Sequence, residues 1–158
     1  MSSLKEQLHK LDVSKLKTSS GNTIEKELKH HARILANCMM HELDKVYDSY
    51  ESKVYERTYG LYHSLTIGNM QMNISSAGAS LGISLIFDDG AVHKGFDGSP
   101  VNVAVLLNQG WKSNFSDVPY FGKREGTHFI EKGIEKYKHQ VKNPFTVKLK
   151  IGNEIRKF

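Results

Sequence analysis

The chain has one cysteine, three prolines and one tryptophan among 158 residues. It has no apolar run approaching the ~20 residues that span a bilayer. The single thiol, Cys38, excludes an intramolecular disulfide and with it the disulfide-stapled secreted folds. Cys38 falls inside a helical pattern, where a small buried hydrophobe is the common role and a catalytic thiol the rarer one. The first ten residues carry Lys5, Glu6, His9 and Lys10 among scattered leucines, without the apolar core of a secretory leader. The expectation is a protein made and kept in the cytoplasm, with no membrane partner. Neither an internal repeat nor a low-complexity tract is present.

Catalytic patterns are missing as well. His30 and His31 are adjacent on a helical stretch, so they point about 100° apart and do not readily share one ion. His41-Glu42 begins like a zinc-protease motif, but Lys45 stands where its second histidine would be. His93 and His128 lie at loop or cap positions with no acidic residue at a telling spacing. Asp88-Asp89-Gly90 lacks the further oxygen ligands of a calcium loop and reads as a turn. Gly78, Gly82 and Gly90 fit neither a dinucleotide-binding nor a P-loop spacing, and no serine sits in a nucleophile elbow. The expectation is therefore a non-enzyme with no metal, no cofactor and no small-molecule substrate; an unrecognised hydrolase is a further alternative.

What is present is enough for a folded domain. Hydrophobic residues make up 39% and charged residues 25%, and a chain of this size buries roughly 70% of its unfolded surface. The net charge of +5 is unevenly placed. Residues 1–121 carry 12 Lys/Arg against 13 Asp/Glu, and residues 122–158 carry 10 against 4. All the net positive charge thus lies in the C-terminal quarter. Such a patch suits acidic protein or nucleic acid, or is simply a solvated basic face. Aromatics interleave with basic residues in Trp111-Lys112, Tyr120-Phe121-Gly122-Lys123-Arg124 and Tyr137-Lys138-His139. These keep nucleic-acid binding open as an alternative, although no finger, RRM or helix-turn-helix signature accompanies them.

Periodicity divides the chain into segments 1–21, 22–143 and 144–158. In the first, Leu4, Leu8 and Leu11 share one face of a short helix that runs toward Leu16, and Thr18–Asn22 then breaks the pattern. In the second, Asn22 or Thr23 caps a long amphipathic helix, with Glu25 placed for a capping box. Ile24, Leu28, His31, Leu35, Met39, Leu43, Val46, Tyr50 and Val54 follow its apolar face. After Gly68 the period falls to two. Met70, Met72 and Ile74, then Leu81, Ile83, Leu85 and Phe87, flank Ser75–Gly78 as a β-hairpin. Residues 88–99 read as a loop. Ser99-Pro100 resembles a helix start for Val101–Gln109, closed by Gly110, although the same residues also alternate as a strand. Residues 111–126 read as an irregular loop. Thr127 is placed to cap a second amphipathic helix through Phe129, Ile130, Ile134, Tyr137 and Val141, which Pro144 ends. In the third segment Phe145, Val147, Leu149 and Ile151 alternate with Thr146, Lys148 and Lys150 as a strand-like basic arm. The predicted class is α+β: a long amphipathic helix and a second helix on a small, mostly antiparallel sheet, with extended loops and a C-terminal arm.

Three stretches carry a resemblance. Thr58-Tyr59-Gly60-Leu61-Tyr62-His63-Ser64-Leu65 is similar to Thr-Gly-x-Leu-x-x-Ser-Ile, with one residue inserted. Ala104-Val105-Leu106-Leu107-Asn108-Gln109-Gly110-Trp111 is similar to Ala-x-Tyr-Val-Glu-Phe-Gly-Thr, with Asn108 for the glutamate and Trp111 for the threonine. His128-Phe129-Ile130-Glu131-Lys132-Gly133-Ile134-Glu135 is similar to Pro-Phe-Leu-x-x-Ala-Leu-Glu. In this order, over roughly residues 4–141, the chain resembles the tail-completion or head–tail connector (neck) family of tailed phages. The resemblance implies a virion structural protein assembled in the bacterial cytoplasm. Its partners would be other copies in a closed ring, the neighbouring neck and tail proteins, and, as the rival for its basic charges, packaged DNA. The aromatics of the two loops, Phe96, Trp111, Phe115, Tyr120 and Phe121, are the expected interface residues. In the arm, Val147 and Leu149 form an apolar edge and Lys148 and Lys150 a cationic one.

Overall fold

The computed structural model describes residues 6–7, 10–49, 60–75, 77–88, 91–94, 98–112, 123–151 and 153–158. The chain is α+β. Helices α1 (Ile24–Asp48), α2 (Gly60–His63), α3 (Val103–Gln109) and α4 (Phe129–Gln140) pack with strands β1 (Leu65–Ser75), β2 (Gly78–Phe87), β3 (Val92–Lys94), β4 (Pro100–Asn102), β5 (Gly110–Lys112), β6 (Lys123–Glu125), β7 (Lys148–Ile151) and β8 (Glu154–Lys157). Among the described residues the strands form four antiparallel pairs, β1–β2, β3–β4, β5–β6 and β7–β8, not one continuous sheet. No helix among them is long and apolar enough to cross a membrane.

The long helix forms on the face its spacing predicts: Leu28, Leu35, Met39 and Leu43 are buried, joined by Ala32 and Cys38. Thr23 is the cap, its hydroxyl accepting from Lys26 N–H. Glu25 does not close a capping box with it. Asn22 instead donates through Nδ2 to Glu27 Oε1 at 2.9 Å, tying the preceding turn to the helix. The helix ends at Asp48, with the Ser49 N–H bonded to Lys45 O, short of the predicted extent. Tyr50 and Val54 lie outside the described residues. The leucine face predicted toward Leu16 also stops early. Asp12 caps a 3₁₀ turn at Val13–Lys15, and Leu11 is 45% exposed; Leu4 and Leu8 are outside the described residues.

The hairpin is longer than its visible alternation. β1 starts at Leu65, and a bulge between Ile67 and Met70 inserts one extra residue opposite Leu85 and Ile83. The insertion switches which parity faces inward, so the simple period-two pattern emerges only after Gly68. The short helix starts later than predicted. Pro100 is in β4, and the cap is Asn102, whose Oδ1 accepts from Val105 N–H at 3.1 Å. Part of the predicted 88–99 loop is β3, which pairs with β4. The predicted 111–126 loop is bounded by the β5–β6 pair.

One core holds these elements. Leu35, Cys38, Met39 and Leu43 of α1 meet Phe129, Ile130, Ile134 and Tyr137 of α4, with Leu61, Ala91, Ala104 and Leu107 in the same cluster. Phe87 reaches it edge-on to Phe129, with ring centroids 6.0 Å apart. The helices meet at Gly133, where a Cβ would lie 2.7 Å from Met39 Cα and 2.9 Å from Met39 N. Those are backbone atoms and cannot swing aside.

Gly133→Ala therefore reverses the usual sign. In a helix interior the change normally stabilises by up to ~1 kcal/mol; here overpacking should cost about 1–3 kcal/mol. A lower urea midpoint with an unchanged slope is expected. An unchanged or higher midpoint would mean that the helices part without cost.

Candidate functional site

Among the described residues no three His, Cys, Asp or Glu side chains are placed to hold a metal ion. Cys38 is 3% exposed. Its Sγ faces Gln140 Oε1 at 3.4 Å, and burial raises its pKa, away from a reactive thiolate. His30, His41 and His128 are exposed. Asp88 closes a turn, its carbonyl accepting from Ala91 N–H at 2.9 Å.

His31 has a structural role. Tyr137 Oη lies 2.7 Å from its Nδ1 and accepts from Phe145 N–H at 3.0 Å. The phenol oxygen thus joins the His31 imidazole to the Phe145 backbone. The Phe145 ring lies 4.4 Å from the imidazole. This relay fixes the start of the C-terminal segment to α1 and α4. Burial lowers the His31 pKa, helped by His30 and opposed by Glu27. Tyr137 is pushed up by burial against the Phe145 bond.

A second buried polar joint was not foreseen. Thr127 does not cap α4: its hydroxyl donates to Leu107 O at 2.9 Å. The residue before α4 is His128, in a left-handed conformation at φ 51 with no side-chain cap bond. Asn108 of α3, fully buried, caps from across the chain. Its Oδ1 accepts from Ile130 N–H at 2.9 Å, its Nδ2 donates to Glu131 Oε2 at 2.7 Å, and its carbonyl accepts from His128 N–H at 3.0 Å. Glu131 also faces Arg156 of β8 at 3.4 Å. No sequence-local signal marks such a cap, because donor and acceptor are 22 residues apart.

Of the expected interface residues, Phe96, Phe115, Tyr120 and Phe121 lie outside the described residues. Trp111 is half-buried in β5, with the Arg124 guanidinium 5.6 Å from its ring centroid. Val147 and Leu149 are half-buried against the chain's own core, while Lys148 and Lys150 are exposed. The arm is thus a hairpin, β7–β8, with Phe158 N–H returning to Val147 O at 2.9 Å.

The surface feature that stands out is a groove of about 720 Å³. Leu35, Met39, Ile130 and Ile134 contribute to its lining, with β2 and the β7 segment on its sides. Beyond the core, Met70, Met72, Ile74, Leu81 and Ile83 share one face of the β1–β2 hairpin by register and are only half-buried. Comparison of the chain with protein-family models, with curated proteins and with solved structures found no match.

Two outcomes test the polar joints. Asn108→Ala leaves the buried Ile130 N–H unpaired and should cost about 1–3 kcal/mol in urea unfolding; a loss within error would mean that water replaces the amide. His31 favours its neutral form on folding. Its contribution should be complete above the ordinary value of 6.5, fall as pH drops below it, and level off below the folded-state pKa. His31→Gln should flatten that part of the stability–pH curve; an unaltered curve would remove His31 as its cause.

Proposed function

We propose that this chain is a non-catalytic structural subunit that assembles with copies of itself into a closed ring, as a tail-completion or connector protein of a tailed-phage neck. The observation that carries the assembly part is the β1–β2 hairpin. Its strands of 11 and 10 residues extend about 35 Å at ~3.4 Å per residue. Its outer half holds Met70, Met72 and Ile74 half-exposed, outside both the set packed on the core and the lining of the groove. An apolar row left uncovered by the subunit's own core is suited to a neighbour's surface. Head-to-tail contacts of this kind close into rings where the rotation permits. The neck assignment rests on the resemblance of the three stretches. Two of them meet at Asn108, whose amide bonds Ile130 and Glu131. Leu61 of the first shares the core cluster with Ala104 and Phe129 of the others.

DNA binding is the second reading, favoured by the exposed Lys148, Lys150, Arg156 and Lys157 of one hairpin. It predicts affinity that falls with salt at a log–log slope of about −0.9 per phosphate contact.

Mass photometry of the purified chain and electron microscopy of virions test the ring. The expected outcome is a closed oligomer in solution or on the tail end. Replacing Met72 and Ile74 by Asp should abolish it while far-UV circular dichroism stays unchanged. A strict monomer that is also absent from virions would sink the reading.

A further inference from the structure

The groove has an unusual lining. It is bordered by eight successive residues of β2, Ser80 to Phe87, and by six successive residues from Thr146 to Ile151. Successive strand residues point to opposite faces. A cavity that touches both parities follows the strand's edge, and here it also reaches over onto Gln71 and Asn73 of β1. β2 pairs on one side with β1, and β7 on one side with β8; among the described residues neither has a second strand partner. Two unpaired strand edges thus border one groove. Among the described residues each offers a row of backbone N–H and C=O groups without a ladder partner.

The groove also has a sign. Among its described lining residues Lys148 and Lys150 are the charged ones, and no carboxylate is present. Lys148 lies directly opposite Lys157 across the β7–β8 ladder, a like-charge pair that costs free energy. Among the described residues none of these three lysines has an ion-pair partner. The carboxylates on this side, Glu131 and Glu154, are both held by Arg156. Apolar positions alternate with the lysines, Val147 just before β7 and Leu149 and Ile151 within it, and Leu81, Ile83 and Leu85 of β2 line the same groove.

We infer that the groove is a docking slot for one extended segment of a partner protein in which acidic and apolar residues alternate. The segment pairs with β2 on one side and β7 on the other, making the two hairpins one five-stranded sheet in the order β1–β2–guest–β7–β8. Main-chain bonds supply the affinity, and the period of two supplies the selectivity: apolar side chains go to the core face and carboxylates to Lys148 and Lys150. The inference stands whether or not the chain builds a phage neck, because it uses only the two edges and their charge.

The probe is a capped seven-residue peptide of alternating valine and glutamate carrying a fluorophore, added to the full-length protein. Fluorescence anisotropy should give saturable binding. Hydrogen exchange read by mass spectrometry should show new protection in both Ser80–Phe87 and Thr146–Ile151. The double variant Lys148→Glu, Lys150→Glu, confirmed folded by circular dichroism, should bind at least about tenfold more weakly, as should a valine–lysine peptide. The same valine–glutamate peptide methylated on alternate backbone nitrogens should not bind. Absence of binding overturns the proposal, as does protection of one strand alone. Equal binding of the valine–lysine peptide would make the slot merely apolar and also overturn it. Protection of both strands that rises with protein concentration, without peptide, would assign the slot to a second copy instead.

Discussion

The amide of Asn108 has no freedom in this structure, and the positions of three elements follow from it. It is fully buried, so each of its polar atoms needs a partner. Those partners are the first turn of α4, through Ile130 N–H and Glu131. Its own carbonyl holds His128 N–H, which fixes the left-handed residue from which α4 starts. Two glycines make the approach possible. A Cβ at Gly126 would fall 2.6 Å from Asn108 O, and one at Gly110 would clash with Arg124 O. With α4 aimed by this joint, Gly133 meets Met39 and the core closes against α1. Glu131 carries the same network out to Arg156 and so to the C-terminal hairpin.

What the sequence made legible, and what it hid, follow from the range of the interactions. The α1 face from Leu28 to Leu43 was readable because burial on one side writes a 3.6-residue period directly into the chain. The β1–β2 hairpin was readable from Met70 onward and hidden before it, since the bulge at Ile67–Met70 reverses the parity. Ser99-Pro100 and Thr127 both carry good local cap chemistry, and both lost to a tertiary competitor. Pro100 pairs with Lys94 in a strand, and the Thr127 hydroxyl is held by Leu107 O. Local propensity is a weak prior when a buried partner from 20 residues away can satisfy the same groups. The groove was hidden for the same reason. The alternation in 145–151 was plain, but that this segment faces β2 across a gap depends on the His31–Tyr137–Phe145 relay.

Two-stranded sheets are marginal on their own, so each of the four pairs needs an anchor. β1–β2 has α1 behind its base, with Leu85 and Phe87 on the core. β5–β6 continues directly from α3, and Gly126, just after β6, lies close against the Asn108 and Gln109 backbone at the end of that helix. β7–β8 has Val147, Leu149 and Phe158 against the core and Arg156 on Glu131. In β1–β2 the anchor lies at the base, and Met70, Met72 and Ile74 beyond it are outside the core set. Covering apolar surface there is favourable by roughly 25 cal/mol per Å², and these three side chains are half-covered.

The charge asymmetry follows the same geometry. An excess of lysine on an edge strand is a common defence against indiscriminate pairing, since like edges repel. That defence accounts for Lys148 and Lys150, which alternate outward along β7. It does not by itself account for Lys157 placed directly across from Lys148, which weakens the hairpin that carries both. Nor does it account for a groove whose described lining contains no carboxylate. A purely defensive edge needs no cavity beside it and no second strand edge, without a ladder partner among the described residues, bordering the same cavity. Here both are present, and the core side chains Ile130 and Ile134 reach into the gap. The combination turns a repulsive edge into a selective one: it rejects its own kind by charge and keeps two ladders and an apolar floor for a chain of the opposite sign.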